Sequence, residues 1–340
     1  MGVDISDLLE PERSTLNSLR GRTVALDALN MLYQFLSIIR QPDGEPLKDS
    51  KGRVTSHLSG LFYRTTKLVE KEIKPFYVFD GEPPEFKETV NKKRRERREE
   101  ARKKYEEALK KGETDKAEKY AKQSTSIKSE MIGQAKDLLD GMGIPWIQAP
   151  SEGEAQAAYM AIEGDAWAVG SQDFDSILFG SPILIRNLTI TGKRKLPGKK
   201  SYKVVKPEKI SLKDTLGNLG IDRKQLITIG ILIGTDYTPG GIKGVGPKTA
   251  LELVKEHGDL ESVIEKVDWP FEEDPKDIMN FFLDPPVTGD YGLTWDNPDS
   301  REIKSFLCDE HDFSEERVSK PIKKLKEGME KGTQSRLDSF

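Results

Sequence analysis

One cysteine, Cys308, stands in 340 residues, which excludes an intramolecular disulfide framework and any cysteine-based zinc site and fits a reducing compartment. Three scattered histidines are too few to supply a histidine base. No apolar run approaches the length of a membrane span, and the first residues lack the hydrophobic core of a secretory signal, so a soluble cytoplasmic protein is expected. Met1 to Ser6 fits the short myristoylation pattern, but no second anchoring signal accompanies it. An excess of positive charge is missing too: 54 Lys and Arg face 58 Asp and Glu, and that average argues against a nucleic-acid partner.

What is present is acid, arranged in pairs. In the stretch from Ala149 to Gly180, Glu152/Glu154 and Asp173/Asp175 repeat one i, i+2 spacing on either side of an apolar run, Ala166 to Gly170, that reads as a buried strand. Carboxylates brought together repel unless a cation sits between them, so the pattern predicts a hard divalent metal held through oxygen, Mg²⁺ or Mn²⁺.

The rest of the chain repeats one grammar. TVALD (Thr23 to Asp27) is followed by a helical pattern from Ala28 to Ile39, PFYVFD (Pro75 to Asp80) has the same form, and Ile144 to Gln148 and Ala166 to Gly170 follow it more loosely. Apolar strands alternating with helices predict an α/β fold, a central mostly parallel sheet buried on both faces, with its ligand site at the carboxyl ends of the strands. Asp27, Asp80, Glu152, Glu154, Asp173 and Asp175 all fall at that rim. Single acids there have a plainer use as helix caps, and Ser151 with Glu154 spells a capping box; six acids in pairs exceed what caps require.

Charge is uneven along the chain. Lys87 to Lys128 carries 16 Lys and Arg against 9 Asp and Glu in a strongly helical, poorly apolar sequence, which suits a helix that grips a charged partner. Lys193 to Lys206 holds seven more basic residues and no acid, in a hairpin pattern. From Arg223 a helical pattern leads to Asp236, a seventh acid, and then to GGIKGVGPKTALELVKEHG, where Lys243, Gly244, Gly246 and Lys248 precede or open a Pro-initiated helix whose free N–H groups suit a DNA phosphate. The chain closes on Gln334, Leu337 and Phe340, a spacing that suits a peptide docking in a groove.

MGV, LDALNMLYQFL, YVFDGEPP, APSEGEA, QDFDSILFGSP, GTDY with GIKGVGPKTA, and FSEERV follow one another in an order and spacing that resemble the flap endonucleases, the structure-specific 5′ nucleases of replication and repair, most of all their archaeal members. The resemblance covers essentially the whole chain. It implies one nuclease domain over 1–325 of PIN/5′-nuclease type, with a helical arch at 83–130, a basic hairpin at 188–206, a helix-two-turn-helix at 223–258, and a flexible clamp-binding tail at 326–340. It implies that Asp27, Asp80, Glu152, Glu154, Asp173, Asp175 and Asp236 hold two Mg²⁺ ions, replaceable by Mn²⁺, roughly 4 Å apart. Asp175 is expected to be catalytic through that metal. Lys87 and Arg94 match the pair that approaches the scissile phosphate, and Tyr33 the aromatic on which the neighbouring base stacks.

Gly2, Arg40 and Arg64 complete the expected DNA contacts with the glycine-turn residues, where the family binds K⁺. Residues 41–59 fall where the family forms a wedge and a pocket for a one-nucleotide 3′ flap. The tail matches the pattern that binds the sliding clamp, PCNA, although it ends with a single aromatic. The implied activity is 5′-flap endonuclease and 5′-3′ exonuclease, acting as a monomer in Okazaki-fragment maturation and base-excision repair. A nuclease of the same architecture for bubbles, four-way junctions or RNA stays open, as does a non-catalytic clamp-bound protein that binds DNA structures.

Overall fold

The computed structural model describes residues 2–41, 44–84, 87–189, 192–195 and 202–337; for 88–95, 109, 114, 115, 118, 122, 192–195, 202, 203 and 332–337 it describes the backbone alone. The strands are β1 (Glu12–Arg13), β2 (Thr23–Asp27), β3 (Lys74–Phe79), β4 (Trp146–Gln148), β5 (Ala168–Gly170), β6 (Ile183–Arg186), β7 (Gly192–Lys195), β8 (Tyr202–Val205) and β9 (Glu208–Ser211). Seven of them form one sheet in the order β1-β9-β6-β5-β2-β3-β4, while β7 and β8 pair separately as an antiparallel hairpin. The run from β6 to β4 is parallel throughout, and β9 pairs antiparallel with both β6 and β1.

The helices alternate with the strands. α1 (Ala28–Ile38) follows β2, α2 (Ser56–Glu70) precedes β3, α3 (Glu88–Lys110) and α4 (Thr114–Gln123) come after it, and α5 (Ser129–Gly141) leads into β4. α6 (Gly153–Ile162) follows β4 and the one-turn α7 (Asp175–Leu178) follows β5. Beyond β9 the chain is helical: α8 (Leu212–Leu219), α9 (Arg223–Ile233), α10 (Pro247–His257), α11 (Leu260–Ile264), α12 (Pro275–Leu283), α13 (Ser300–Lys304) and α14 (Glu315–Leu337).

The period-2 alternation of a strand explains how continuous apolar runs serve two faces. Val24, Leu26, Tyr77 and Phe79 point into a core shared with α1, α2, α5 and α14, among Met31, Phe62, Leu138 and Leu325. Ala25, Phe76, Val78 and Val169 point the other way, onto Ala157 and Met160 of α6. Each fully buried large side chain among them contributes about 1.5–3 kcal/mol relative to exposure. A third core joins Val3 and Ile5 to α7, α9, α10, α11 and α12.

β4 and β5 each begin two residues later than the sequence suggests. The N–H groups of Ile144 and Ala166 are taken by the preceding helix ends, bonding to Leu139 O and Met160 O at 3.0 Å each. α3 and α4, polar by sequence, pack closely on each other, with Ala101, Ala108, Ala117 and Ala121 buried. The tail boundary expected at 326 falls inside α14, because the apolar series Val318, Ile322, Leu325 continues to Met329 and Gly328 rests on the main chain of Val69.

After β4 the chain crosses to the far side of β2, so the strand order reverses between β2 and β5. At such a switch point neighbouring loops part and leave a crevice at the carboxyl ends of the strands.

Candidate metal and nucleic-acid site

The seven acids gather around that crevice. Asp27, the last residue of β2, caps α1 by accepting the Asn30 N–H at 3.0 Å and also accepts the Ser171 hydroxyl at 3.3 Å. Asp80, just past β3, accepts the Gly153 N–H at 2.8 Å; a Cβ on Gly153 would stand 2.7 Å from the same oxygen, so glycine is required there. Glu152 occupies the N-cap position of α6 and Glu154 its first turn. Asp173 accepts the Asn30 side-chain amide at 3.0 Å, and Asp175 accepts the Val3 N–H at 2.8 Å. Asp236 follows α9 in a turn tied by Thr235 and Thr238, the Thr238 hydroxyl reaching back to Ile231 O at 3.0 Å.

Their mutual repulsion is legible in their proton affinities. Burial, then Asp80 and Asp173, hold Asp27 well above the ordinary aspartate range. Burial, then Asp175, Asp27 and Asp173, do the same to Glu154. Asp175 is raised by burial and by Asp236, with the Val3 amide opposing. Asp80 and Glu152 are raised by burial despite the pull of Lys87. Glu154 Oε1 is buried with no hydrogen-bond partner among the described residues, a costly state for a carboxylate oxygen. An oxygen-only set with a buried oxygen left over fits hard divalent cations. Among the described residues no three such groups are drawn into a closed metal cluster.

Lys87 brings an ammonium to the rim. Its ammonium lies 2.6 and 2.7 Å from the two oxygens of Glu152, 3.5 Å from Asp236, and 5.8 Å over the ring of Tyr237. Burial pulls its proton affinity down, but Glu152 and Asp236 outweigh burial and raise it. The residue expected at the phosphate is therefore lodged among the carboxylates. Arg94 has its side chain outside the described residues.

The capping box does not form. Glu152 rather than Ser151 takes the N-cap position, no side chain caps α6, and the Ser151 hydroxyl is buried without a partner among the described residues. Both glutamates are thus left to the crevice. Sequence reading passed over Asn30, Ser171, the Gly153 amide and Tyr237; polar residues beside acids carry no periodic signal that separates them from ordinary helix and turn residues.

The expected DNA contacts divide. A Cβ on Gly2 would stand 2.3 Å from Asp175 Oδ2, so the amino-terminal segment lies against the acids. Tyr33, on α1, is 36% exposed, open enough to stack. Arg40 spends its guanidinium inside the protein, on Gly44 O at 2.8 Å, Ala121 O at 3.2 Å and Thr125 Oγ1 at 2.5 Å, joining the 41–54 loop to α4. Arg64 is half-buried on α2.

Lys243, Gly244, Gly246 and Lys248 are exposed at the start of α10, whose N-cap Gly246 offers no side chain to its first amides. Gly241 has φ +60°, and a Cβ on it would stand 2.5 Å from the Leu232 and Ile233 carbonyl oxygens, so the turn needs glycine. The hairpin tip with Lys199 and Lys200, and Phe340 of the tail, lie outside the described residues; Gln334 and Leu337 are described in backbone only, as the last turns of α14.

Known proteins carry the same pattern. A family model described as the XPG N-terminal domain matches residues 1–101, and one described as the XPG I-region matches residues 143–236. The chain is 56% identical to flap endonuclease 1 of Pyrococcus furiosus over all of its own length and 99% of the relative's, and 57% identical to that of Pyrococcus horikoshii over 98% of the relative's. Among solved structures, flap endonuclease-1 from Methanococcus jannaschii matches with a TM-score of 0.77 at 44% identity, over 97% of this chain and 99% of that one. The catalytic core of Rad2 in complex with DNA substrate matches at 0.67 and 26% identity, over 94% and 97%.

Proposed function

Because the chain belongs to the flap endonuclease family, we propose that its acidic crevice holds two divalent cations and that the groups around it cut the phosphodiester of a 5′ flap where single strand meets duplex. The family makes the chain a structure-specific nuclease, a hydrolase of DNA phosphodiesters, and implies work in replication and repair. Supporting the metal reading above all is Glu154 Oε1, buried without a hydrogen-bond partner among the described residues and surrounded by three further acids.

Asp27, Asp80, Glu152, Glu154 and Asp173 would hold one Mg²⁺ and Asp175 with Asp236 a second, Mn²⁺ being able to replace them; bound there, the ions supply Lewis-acid activation of water and of the phosphodiester. The protein's own groups do the rest. Lys87 and Arg94 neutralise charge that develops on the phosphate, which requires Lys87 to turn from Glu152 toward the DNA. Tyr33 stacks on the base beside the cut. Lys243, Lys248 and the amides from Gly244 to α10 grip a duplex phosphate without reading sequence, with K⁺ at the glycine turn. α3 and α4 form the arch over the single strand, Arg64 adds a phosphate contact, and Arg40 braces the arch against the 41–54 loop. Gln334, Leu337 and Phe340 bind the sliding clamp, PCNA. The protein acts as a monomer in the cytoplasm; no helix among the described residues is long and apolar enough to cross a membrane.

A cleavage panel tests the substrate. The 5′ flap should be cut fastest among flap, bubble, four-way junction and RNA substrates, and faster cutting of any other member overturns the assignment. Asp175→Ala should bind the flap and cut it at least about a hundredfold more slowly, the scale of lost electrostatic stabilisation. Cutting at the wild-type rate would remove Asp175 from the site.

A further inference from the structure

We infer that Asn30 is a positioning residue that sets the metal-facing carboxylate of Asp173 and joins it to Asp27, an inference that rests on the proposed metal reading of the crevice. Asn30 lies in the first turn of α1, three residues after Asp27. It makes three bonds to two neighbouring strand ends. Its main-chain N–H donates to Asp27 Oδ1 at 3.0 Å, its side-chain Nδ2 donates to Asp173 Oδ2 at 3.0 Å, and its Oδ1 accepts the Gln172 N–H at 3.3 Å. A carboxylate only accepts and a peptide N–H only donates, so both partners demand the same orientation of the amide.

The bonds matter because of where they fall. β2 and β5 are adjacent in the sheet, and their ends diverge at the switch point, so the loop after β5 needs a tie to α1. Repulsion between Asp27 and Asp173 pushes the two ends apart. Asn30 opposes that push by occupying one oxygen of Asp173 with a donor while holding the preceding amide. From the other side, Arg186 Nε donates to Gln172 O at 3.0 Å and its guanidinium lies 4.1 Å over the Phe174 ring. The Ser171 hydroxyl, donating to Asp27 and accepting the Asp173 N–H at 3.2 Å, completes the frame. A carboxylate held by an outer amide loses less freedom on binding a cation, which is how partners behind the ligands raise metal affinity.

Asn30→Ala tests this without threatening the fold, since alanine is the best helix former and the Asp27 cap uses only the main chain. The probe is Mn²⁺ alone, with free ion counted by electron paramagnetic resonance on the intact protein without DNA. Asn30→Ala should weaken Mn²⁺ binding about tenfold, as loss of an outer hydrogen bond to a ligand does, and raise the Mg²⁺ concentration for half-maximal flap cutting to match. Saturating Mg²⁺ should restore the cutting rate to within about threefold, because the ligands themselves remain. In an Asp173→Asn background the Asn30→Ala change should alter Mn²⁺ affinity by less than about twofold, since both act through one carboxylate.

Unchanged Mn²⁺ affinity in Asn30→Ala, a rate loss that saturating Mg²⁺ does not recover, or full additivity with Asp173→Asn each overturns the assignment. If Asp173→Asn by itself leaves Mn²⁺ affinity intact, the metal reading of the crevice fails first. If it weakens binding and Asn30→Ala does not, only the role of Asn30 fails.

Discussion

The Lys87 ammonium bonds both oxygens of Glu152, at 2.6 and 2.7 Å, across 65 positions of sequence. The residue that opens the basic segment thereby offsets charge in the acidic crevice. Two of the three ammonium protons lie on Glu152, so in the proposed cutting state the side chain gives up part of that contact to the DNA phosphate and exchanges between two anions.

That exchange predicts a split response. Lys87→Ala should lower flap cutting at saturating Mg²⁺ by about a hundredfold, and should lower rather than raise the Mg²⁺ concentration for half-saturation, because an ammonium no longer competes for Glu152. Rates measured across a Mg²⁺ series decide. A higher half-saturation point would show that Lys87 supports metal binding instead of opposing it.

Gly2 is held to glycine by contact rather than by its backbone angle. A Cβ there would lie 2.3 Å from Asp175 Oδ2 and strain the Val3 N–H bond to the same carboxylate. Gly2→Ala should cost at least about tenfold in cutting while shifting the thermal midpoint little, since the chain end can move away but the carboxylate then loses its amide donor. Equal cutting by Gly2→Ala and the unaltered protein would show that the segment is free to move aside.

Acid stability should carry the mark of His57. This side chain is fully buried on α2, with Nε2 3.1 Å from Gln134 Oε1 and Nδ1 without a partner among the described residues. Burial pulls its proton affinity down from 6.5 to about 4, with Gln134 opposing and His311 assisting. A depressed folded value means that the unfolded chain takes up the proton first. The neutral-pH stability is therefore present above 6.5 and is lost as pH falls from 6.5 toward 4, by on the order of 3 kcal/mol. Denaturant midpoints across that window should slope less in His57→Phe than in the unaltered protein; parallel slopes would assign the acid loss elsewhere.

Removal of Gln334 to Phe340 should abolish co-elution with the sliding clamp and leave cutting of free flaps nearly intact. The cut falls beyond Met329, which among the described side chains is the last of α14 packed on the core, so those core contacts are kept. Equal co-elution of the shortened protein would place the clamp contact elsewhere.

What the amino-acid sequence by itself determined was the set of elements and the acids at their ends. TVALD, KPFYVF and ILIR become strands because unbroken apolar β-formers can be satisfied only by burial on both faces, and an acid after such a strand must lie at the rim. The pairing of Glu152 with Glu154 and of Asp173 with Asp175 was legible for the same reason, as charge in excess of what caps need. Tertiary structure alone decided which local options were taken. Ser151 and Glu154 spell a capping box that goes unused, because the Gly153 amide is drawn to Asp80 on a neighbouring strand end. The tail expected to begin at 326 is still helical there, because Gly328 fits against the main chain of Val69 in space. Asn30, Ser171 and Lys87 owe their roles to partners 143, 144 and 65 residues away, across strand ends that meet only after the sheet has formed. Hydrophobic burial is local enough to leave a period in the chain; hydrogen bonds and ion pairs at a sheet's switch point join residues that no period connects.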